Sequence, residues 1–273
     1  MAAEPIGIKY EVGADNVGRI VIDRPDVGNS LSPLARDALA NVLIDAHADP
    51  AVRSVLLTST GSRHFCTGAG LASKPTDVDG QLAPDRRPGD IARQLAQGWQ
   101  RLVGAVLDCD KPVVAAVNGT AVGGGASLVL ACDLVVMGQQ SALVEGFVHR
   151  GIVPDGGAVH LLTRIVGLRK ATELLMLGEP VGADECLRLG LVNRVVPAEQ
   201  VDQTAESLAV RLATGPSVML GLTKRLLSVS SESPRERGFE QEAWAAELNS
   251  RTADLQEGLQ SFAERRSPRF RGR

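Results

Sequence analysis

Short, almost wholly apolar runs that alternate with helical patterns are the feature of this sequence that most restricts its fold. The runs VRSVLLTS (52–59), KPVVAAVNG (111–119) and LVVM (134–137) lack the polar alternation of a half-exposed strand. A strand without a polar face is typical of a parallel sheet that is covered on both sides. A helical pattern of apolar residues precedes the first of these runs, over residues 33–48. The alternation predicts an α/β fold.

The remaining pattern adds strands at the N-terminal end and a polar loop in the middle of the chain. Residues 8–12 and 18–25 fit short strands that end at Gly or Pro. Residues 72–90 are rich in Pro, Gly and charge and fit a loop, after which residues 91–107 fit one helix.

From residue 157 onward the pattern is mostly helical, interrupted by a strand-like segment at 192–197. These C-terminal helices have apolar faces of Leu and Ala, but few strands remain in this part of the chain for those faces to cover. We therefore divide the chain into a core at 1–200 and a C-terminal helical region at 201–273, and we expect the second region to serve self-association.

Composition and charge exclude several classes of function. The chain has 29 Lys and Arg against 32 Asp and Glu, a formal net charge of −3, so nothing attracts it generally to nucleic acid. No apolar run approaches the roughly 18 residues that cross a bilayer, and the first residues lack the pattern of a signal peptide. We expect a cytoplasmic protein with no membrane or nucleic-acid partner.

The cysteines and histidines show no metal-ligand spacing. Cys66, Cys109, Cys132 and Cys186 are scattered without a CxxC pair. We expect four reduced thiols, mostly buried, and no bound metal.

Two glycine-rich turns are the first candidates for chemistry. HFCTGAGL (64–71) follows a predicted strand, and NGTAVGGGASL (118–128) joins a strand to a helix. Glycines at such turns leave backbone N–H groups accessible to a ligand, and a helix N-terminus favours negative charge. Two such turns on adjacent strands can form an oxyanion hole. Either turn alone is more typical of a tight strand-to-helix connection, and neither has the spacing of a dinucleotide fingerprint or a P-loop.

The third candidate segment is VEGFVHRGIVPDGG (144–157), which contains Glu145, His149 and Asp155. Asp155 follows a proline and precedes a predicted helix, so a simple N-cap explains it slightly better than catalysis. We expect Glu145 to be a surface charge and His149 to face solvent or a neighbouring chain.

Taken in this order, these segments resemble the crotonase family, the enoyl-CoA hydratase/isomerase superfamily. The resemblance rests on KPVVAAVNGTAVGGGASLVLACDL (111–134), RGIVPDGG (150–157), LGLVNRVVP (189–197) and FAERRSPRF (262–270). It implies a spiral of repeated ββα units with a helical C-terminal trimerisation region, assembled as homotrimers or dimers of trimers. It also implies an acyl-CoA thioester as ligand, with coenzyme A as part of the substrate and no separate cofactor.

The resemblance assigns roles to individual positions. The thioester oxygen would accept hydrogen bonds from the N–H groups of Ala69 and Gly124. The phosphates and adenine end of coenzyme A would meet Arg63 and Arg265, the latter from a neighbouring subunit, with Lys74 as a looser candidate.

The chain departs from the family pattern where hydratases use two glutamates. The matching positions hold Ser127 and Phe147, and neither side chain can act as a carboxylate acid or base. Asp155 matches the acidic residue that several isomerases of the family use, so we expect an enoyl-CoA isomerase with Asp155 as its base. A further departure is Gly70, where the family usually has Asp, and this substitution bears on the placement of the Ala69 N–H.

Three alternatives remain open. A hydratase could recruit Glu145 or His149 as its second group. Asp155 could instead attack as a nucleophile, as in the dehalogenases of the family. Finally, the chain could bind acyl-CoA without catalysis.

Overall fold

A computed structural model describes residues 6–70, 87–230 and 233–273. The strands are numbered along the chain, and six of them form the larger sheet: β1 (Ile8–Val12), β2 (Val17–Ile22), β3 (Ser54–Ser59), β5 (Val113–Val117), β7 (Leu134–Gly138) and β10 (Arg194–Val196). They lie side by side in that order, with β1 antiparallel to β2 and all other pairs parallel. Every residue of β5 is buried, as its apolar run predicts.

A smaller sheet carries the segments that matter for the site. Its strands are β4 (His64–Cys66), β6 (Thr120–Val122), β8 (Ala142–Val144) and β9 (Val181–Gly182). The sequence pattern did not predict these strands, because runs of two or three residues beside glycines carry no periodicity. Each follows a strand of the larger sheet or a helix, so the chain passes repeatedly through ββα units, and the fold is α/β as expected.

Helix α1 (Pro33–Ala48) begins as its sequence predicts, with the Ser32 hydroxyl accepting a hydrogen bond from the Ala35 N–H at 3.3 Å. The single helix expected over 91–107 is wrong. The structure has α2 (Asp90–Gln97) and α3 (Trp99–Leu107), separated at Gly98. Gly98 leaves helical geometry at φ −104° and ψ −107°, and a Cβ there would lie 2.6 Å from both the Arg36 guanidinium and the Gln94 carbonyl oxygen.

The later helices follow the sequence pattern closely. They are α4 (Gly124–Ala131), α5 (Ala158–Leu177), α6 (Ala183–Arg188), α7 (Val201–Ala213), α8 (Ser217–Ser230), α9 (Arg235–Asn249) and α10 (Ala253–Ala263). Gly167 interrupts α5 with non-helical angles, φ 73° and ψ 164°. Among the described residues, no helix combines the length and apolar character that a membrane span requires.

Apolar side chains cover both faces of the larger sheet. One cluster joins the sheet to α1, α3 and α4, and the other packs α7 against Val17, Leu56 and Val114. All four cysteines are free thiols, three of them buried, which agrees with the expectation. The larger sheet is therefore a rigid support from which the smaller sheet extends its turns.

Candidate active site

Three short strands end side by side and place three segments at one edge of the smaller sheet. Strand β4 pairs in parallel with β6, with His64 opposite Thr120, and β6 pairs in parallel with β8, with Val122 opposite Val144. Parallel strands share their carboxyl ends, which is where ligands commonly bind in α/β proteins. The two glycine-rich turns and the segment that begins at Glu145 therefore leave the sheet at the same edge.

The two glycine-rich turns approach closely at Gly68. This residue has φ of 79°, and a Cβ there would lie 2.9 Å from the Val122 carbonyl oxygen and 3.2 Å from the Gly124 nitrogen. Only glycine adopts this conformation without strain and without displacing the neighbouring turn. The N–H groups of Ala69 and Gly124 find no hydrogen-bond acceptor within the part of the chain that the structure describes. Two unsatisfied donors thus stand on adjacent turns.

Both turns border a cavity of about 690 Å³. Its wall includes Ala69, Gly124, Phe147 and Asp155, together with apolar side chains from α2, α3 and the segments between strands and helices. Asp155 is the one carboxylate among the described residues of this wall. The sequence positions that the family resemblance pairs with the thioester oxygen and with the base therefore face one common space.

Asp155 is not the N-cap that its sequence context favoured. Helix α5 begins at Ala158, its N-cap is Gly157 at φ 85°, and no side-chain cap is made. The Asp155 carbonyl oxygen accepts a hydrogen bond from the Ala158 N–H at 3.1 Å, so the backbone rather than the carboxylate closes the turn. Burial raises the pKa of Asp155 above its ordinary value, because desolvation disfavours the charged form.

The expectation that Glu145 is a surface charge is wrong. Glu145 is only 5% exposed, and neither of its carboxylate oxygens has a hydrogen-bond partner within the described residues. Burial raises the pKa of Glu145 to about 8, and the negative charge of Asp155 adds to the rise. Glu145 therefore holds a proton at neutral pH, since a buried and unpaired carboxylate is costly. The turn after β8 folds this side chain inward, which the charge alone did not reveal.

His149 is exposed, as expected, and its Nε2 lies 3.0 Å from the Gly178 carbonyl oxygen. This contact holds the imidazole away from the cavity wall, which does not include His149. The geometry gives His149 no part in the candidate site.

Ser127 and Phe147 occupy the positions of the family glutamates. Ser127 is fully buried, and its Oγ has no partner in the described residues. It lies 3.7 Å from where a Cβ on Gly156 would stand, so it is just behind Asp155. The Phe147 ring lies 3.7 Å from where a Cβ on Gly123 would stand, and it closes the cavity beside the glycine turn.

Trp99 is a site residue that the sequence reading did not single out. A Cβ on Gly124 would lie 2.8 Å from its ring, and one on Gly156 would lie 3.5 Å from its Cβ. The sequence does contain a signal for this residue. Trp99 is one of only 2 tryptophans, and it directly follows a glycine inside a helical pattern. Its indole forms the floor between the unsatisfied amide of Gly124 and the segment that holds Asp155.

Two of the cations expected to meet coenzyme A, Arg63 and Arg265, lie away from this wall. Arg63 is exposed just before β4, at the opposite end of that strand from Ala69. Arg265 is exposed just after α10, and its backbone has φ of 55°. Lys74 lies outside the described residues. Neither Arg63 nor Arg265 belongs to the cavity wall within this chain.

A separate group of potential metal ligands lies at the far ends of α1 and α3. Ligand atoms of His47, Cys109 and Asp110 lie within 4.8 Å of one another. His47 Nδ1 already accepts a hydrogen bond from the Asp110 N–H at 3.1 Å, and Lys111 Nζ lies 3.1 Å from the Asp110 carboxylate. The lysine charge makes this cluster a poor place for a cation.

Comparison with known proteins identifies the family of the chain. The family model for enoyl-CoA hydratase/isomerase matches residues 13–273. The chain is 33% identical to the 1,2-epoxyphenylacetyl-CoA isomerase of Escherichia coli, over 93% of this chain and 94% of that protein. It is 30% identical to the (E)-benzylidenesuccinyl-CoA hydratase of Thauera aromatica, over 95% of this chain and 97% of that protein.

A crystal structure of an enoyl-CoA hydratase from Bacillus anthracis superposes with a TM-score of 0.88 at 29% identity, covering 98% of this chain and all of that one. The match includes both sheets and the C-terminal helices, because it spans nearly the whole of each chain. Relatives of this chain carry hydratase names and isomerase names alike. The chain is thus a member of the enoyl-CoA hydratase/isomerase family, with the crotonase fold.

Proposed function

We propose that this protein is an enoyl-CoA isomerase that moves a double bond of its acyl-CoA substrate through a thioester enolate. The observation that carries the proposal is the position of Asp155. It is the one carboxylate among the described residues of a cavity that also exposes the N–H groups of Ala69 and Gly124.

In the proposed reaction, the thioester oxygen accepts hydrogen bonds from the Ala69 and Gly124 amides. The Asp155 carboxylate takes a proton from C2 of a 3-enoyl thioester, and the electron pair of that C–H bond delocalises onto the thioester oxygen and, through the double bond, onto C4. The Asp155 carboxylic acid then returns the proton to C4, which leaves the 2-enoyl thioester. Each amide donor in such a hole contributes roughly 2.7–4 kcal/mol to the barrier reduction.

The raised pKa of Asp155 supports this role. A carboxylate whose pKa is raised by burial is a stronger base than one in water, and proton transfer is most efficient when the pKa lies nearer the working pH. One group suffices, because the same proton leaves C2 and arrives at C4 on one face of the acyl chain.

A second candidate is an enoyl-CoA hydratase, and the burial of Glu145 favours it. Addition of water needs two proton-transfer groups, which Ser127 and Phe147 do not provide. A protonated Glu145 near Asp155 could provide the second group. We rank hydration below isomerisation because Glu145 does not belong to the described wall of the cavity.

We also propose that coenzyme A is held by Arg63, Lys74 and the Arg265 of a neighbouring subunit, in a homotrimer or a dimer of trimers. Helices α9 and α10 expose large apolar side chains, among them Trp244 at 61% and Phe262 at 86%. Such exposure is typical of a surface that another chain covers. Analytical ultracentrifugation would detect the assembly.

The test of the isomerase proposal is Asp155→Asn in the full-length protein. With a 3-enoyl-CoA substrate, we expect the formation of the conjugated 2-enoyl thioester, followed by its ultraviolet absorbance, to fall by roughly 10²–10⁴-fold. Binding of a saturated acyl-CoA, measured by calorimetry, should be unchanged. Asp184→Asn, the same chemical change at an exposed position on α6, is the matched control.

Retention of isomerase activity in Asp155→Asn would overturn the proposal. If the unmodified protein binds acyl-CoA and converts no 3-enoyl substrate, only a binding function survives. Loss of the enoyl absorbance when crotonyl-CoA is added, abolished by Glu145→Gln, would instead establish hydration.

A further inference from the structure

A guanidinium group lines the wall of the cavity. Arg36 lies in the first turn of α1, its side chain is 12% exposed, and it belongs to the wall that includes Asp155. Its Nη1 lies 2.6 Å from where a Cβ on Gly98 would stand. Gly98 directly precedes Trp99, whose indole packs on Gly124, so Arg36 stands beside the floor of the cavity.

The Arg36 guanidinium is only partly paired. Its Nε and Nη2 both donate to a single oxygen of Asp37, at 3.0 Å and 2.9 Å. Nη1 has no acceptor among the residues that the structure describes, and the Asp37 side chain is 46% exposed. A guanidinium has five N–H donors in a fork that matches a carboxylate. The edge that carries Nη1 remains available for an anionic group.

The charges of the side chains in the cavity wall also favour an anionic ligand group. Arg150 also lines the cavity, and its Nη1 lies 3.8 Å from where a Cβ on Gly146 would stand. Against these two cations the described wall carries one acid, Asp155, which the proposed reaction already uses. A plain hydrocarbon chain would leave the N–H groups of Arg36 Nη1 without partners and desolvated, which costs free energy.

We propose that Arg36 selects acyl groups that carry a second carboxylate, remote from the thioester, over plain hydrocarbon acyl groups of the same length. This inference deepens the proposed function by naming the substrate class. It rests on the acyl-CoA ligand of that proposal but not on the isomerase reaction.

The test measures binding of saturated thioesters, which do not react. Calorimetry on the full-length protein compares pairs of ω-carboxyacyl-CoA and plain acyl-CoA of equal chain length, over a series of lengths. We expect at least one ω-carboxy member to bind roughly ten- to a hundredfold more tightly than its plain partner, as charge-assisted hydrogen bonds allow. Arg36→Met should remove this preference by weakening the ω-carboxy ligand alone, and Arg36→Lys should keep part of it.

Arg93→Met is the matched control, because Arg93 is 60% exposed on α2, paired with Asp90 and absent from the cavity wall. If Arg36→Met weakens both thioesters and free coenzyme A equally, Arg36 binds the coenzyme phosphates and the inference is wrong. Equal affinity of the unmodified protein for both members of every pair also overturns it. Because no turnover is measured, either failure is distinct from failure of the isomerase proposal.

Discussion

Gly68→Ala tests whether the close approach of the two glycine turns sets the reactivity of the site. The added Cβ would lie 2.9 Å from the Val122 carbonyl oxygen and 3.2 Å from the Gly124 nitrogen, and both are backbone atoms that cannot rotate away. To restore an ordinary contact distance of 3.4 Å, one turn must move by about 0.5 Å. A misplacement of about 1 Å can cost roughly 10²-fold, and complete loss of one amide donor costs roughly 10²–10³-fold. We therefore expect kcat/KM for 3-enoyl-CoA isomerisation to fall by about 10–10²-fold.

Gly190→Ala separates this effect from the cost of the backbone conformation. Gly190 has φ of 74°, close to that of Gly68, but a Cβ there meets nothing within 4 Å. Both variants should lose about 1–2 kcal/mol of unfolding free energy from the left-handed conformation, measured by urea denaturation. Only Gly68→Ala should lose activity. Equal kinetics in the two variants would refute the reasoning, because the spacing of the turns would then not matter.

Two further predictions concern ionisable groups in the interior. Lys224 Nζ lies 2.7 Å from the Asp133 carboxylate and 2.9 Å from the Val106 carbonyl oxygen, which ties α8 to the core. Lys224→Met should lower the unfolding free energy by about 2–3 kcal/mol in urea denaturation, less than for a fully buried pair. Adding Asp133→Asn should restore part of the loss, whereas simple additivity would show that the two groups are not coupled. Burial raises the pKa of Glu145 from 4.5 to about 8, so between these pH values the folded state binds more protons than the unfolded state and stability falls as pH rises. Relative to Glu145→Gln, the unmodified protein should lose up to about 1.4 kcal/mol of unfolding free energy per pH unit across that window, and parallel curves for the two proteins would contradict the assigned burial.

The larger sheet and most helices follow from local pattern, because long apolar runs and helical spacing reflect burial directly. The apolar run at 111–119 contains the strand Val113–Val117, and the helix predicted at 33–48 has those bounds in the structure. The smaller sheet was not predictable in this way. His64–Cys66 and Thr120–Val122 are too short to show a period, and they become strands only because they pair with each other.

The same distinction between local sequence pattern and tertiary packing applies to the candidate site. The family resemblance placed Ala69, Gly124 and Asp155 on one cavity, because their motifs are carried in contiguous sequence. The burial of Glu145 and the proximity of Arg36 to Gly98 depend on how segments distant in sequence pack, and no local pattern records that. Asp155 shows most directly what local sequence pattern fails to predict. Its sequence context fits a helix cap, yet Gly157 caps the helix and leaves the carboxylate for other use.

The Trp99 side chain contacts both halves of the proposed catalytic site. Its ring lies against Gly124 and its Cβ lies against Gly156, so the two turns pack on a single residue. The positions of the proposed amide donor and of the segment that holds the proposed base thus depend on one side chain. Any attempt to enlarge the pocket by shrinking this residue will loosen the donor and the base at once, and a redesign for longer substrates should begin elsewhere on the wall.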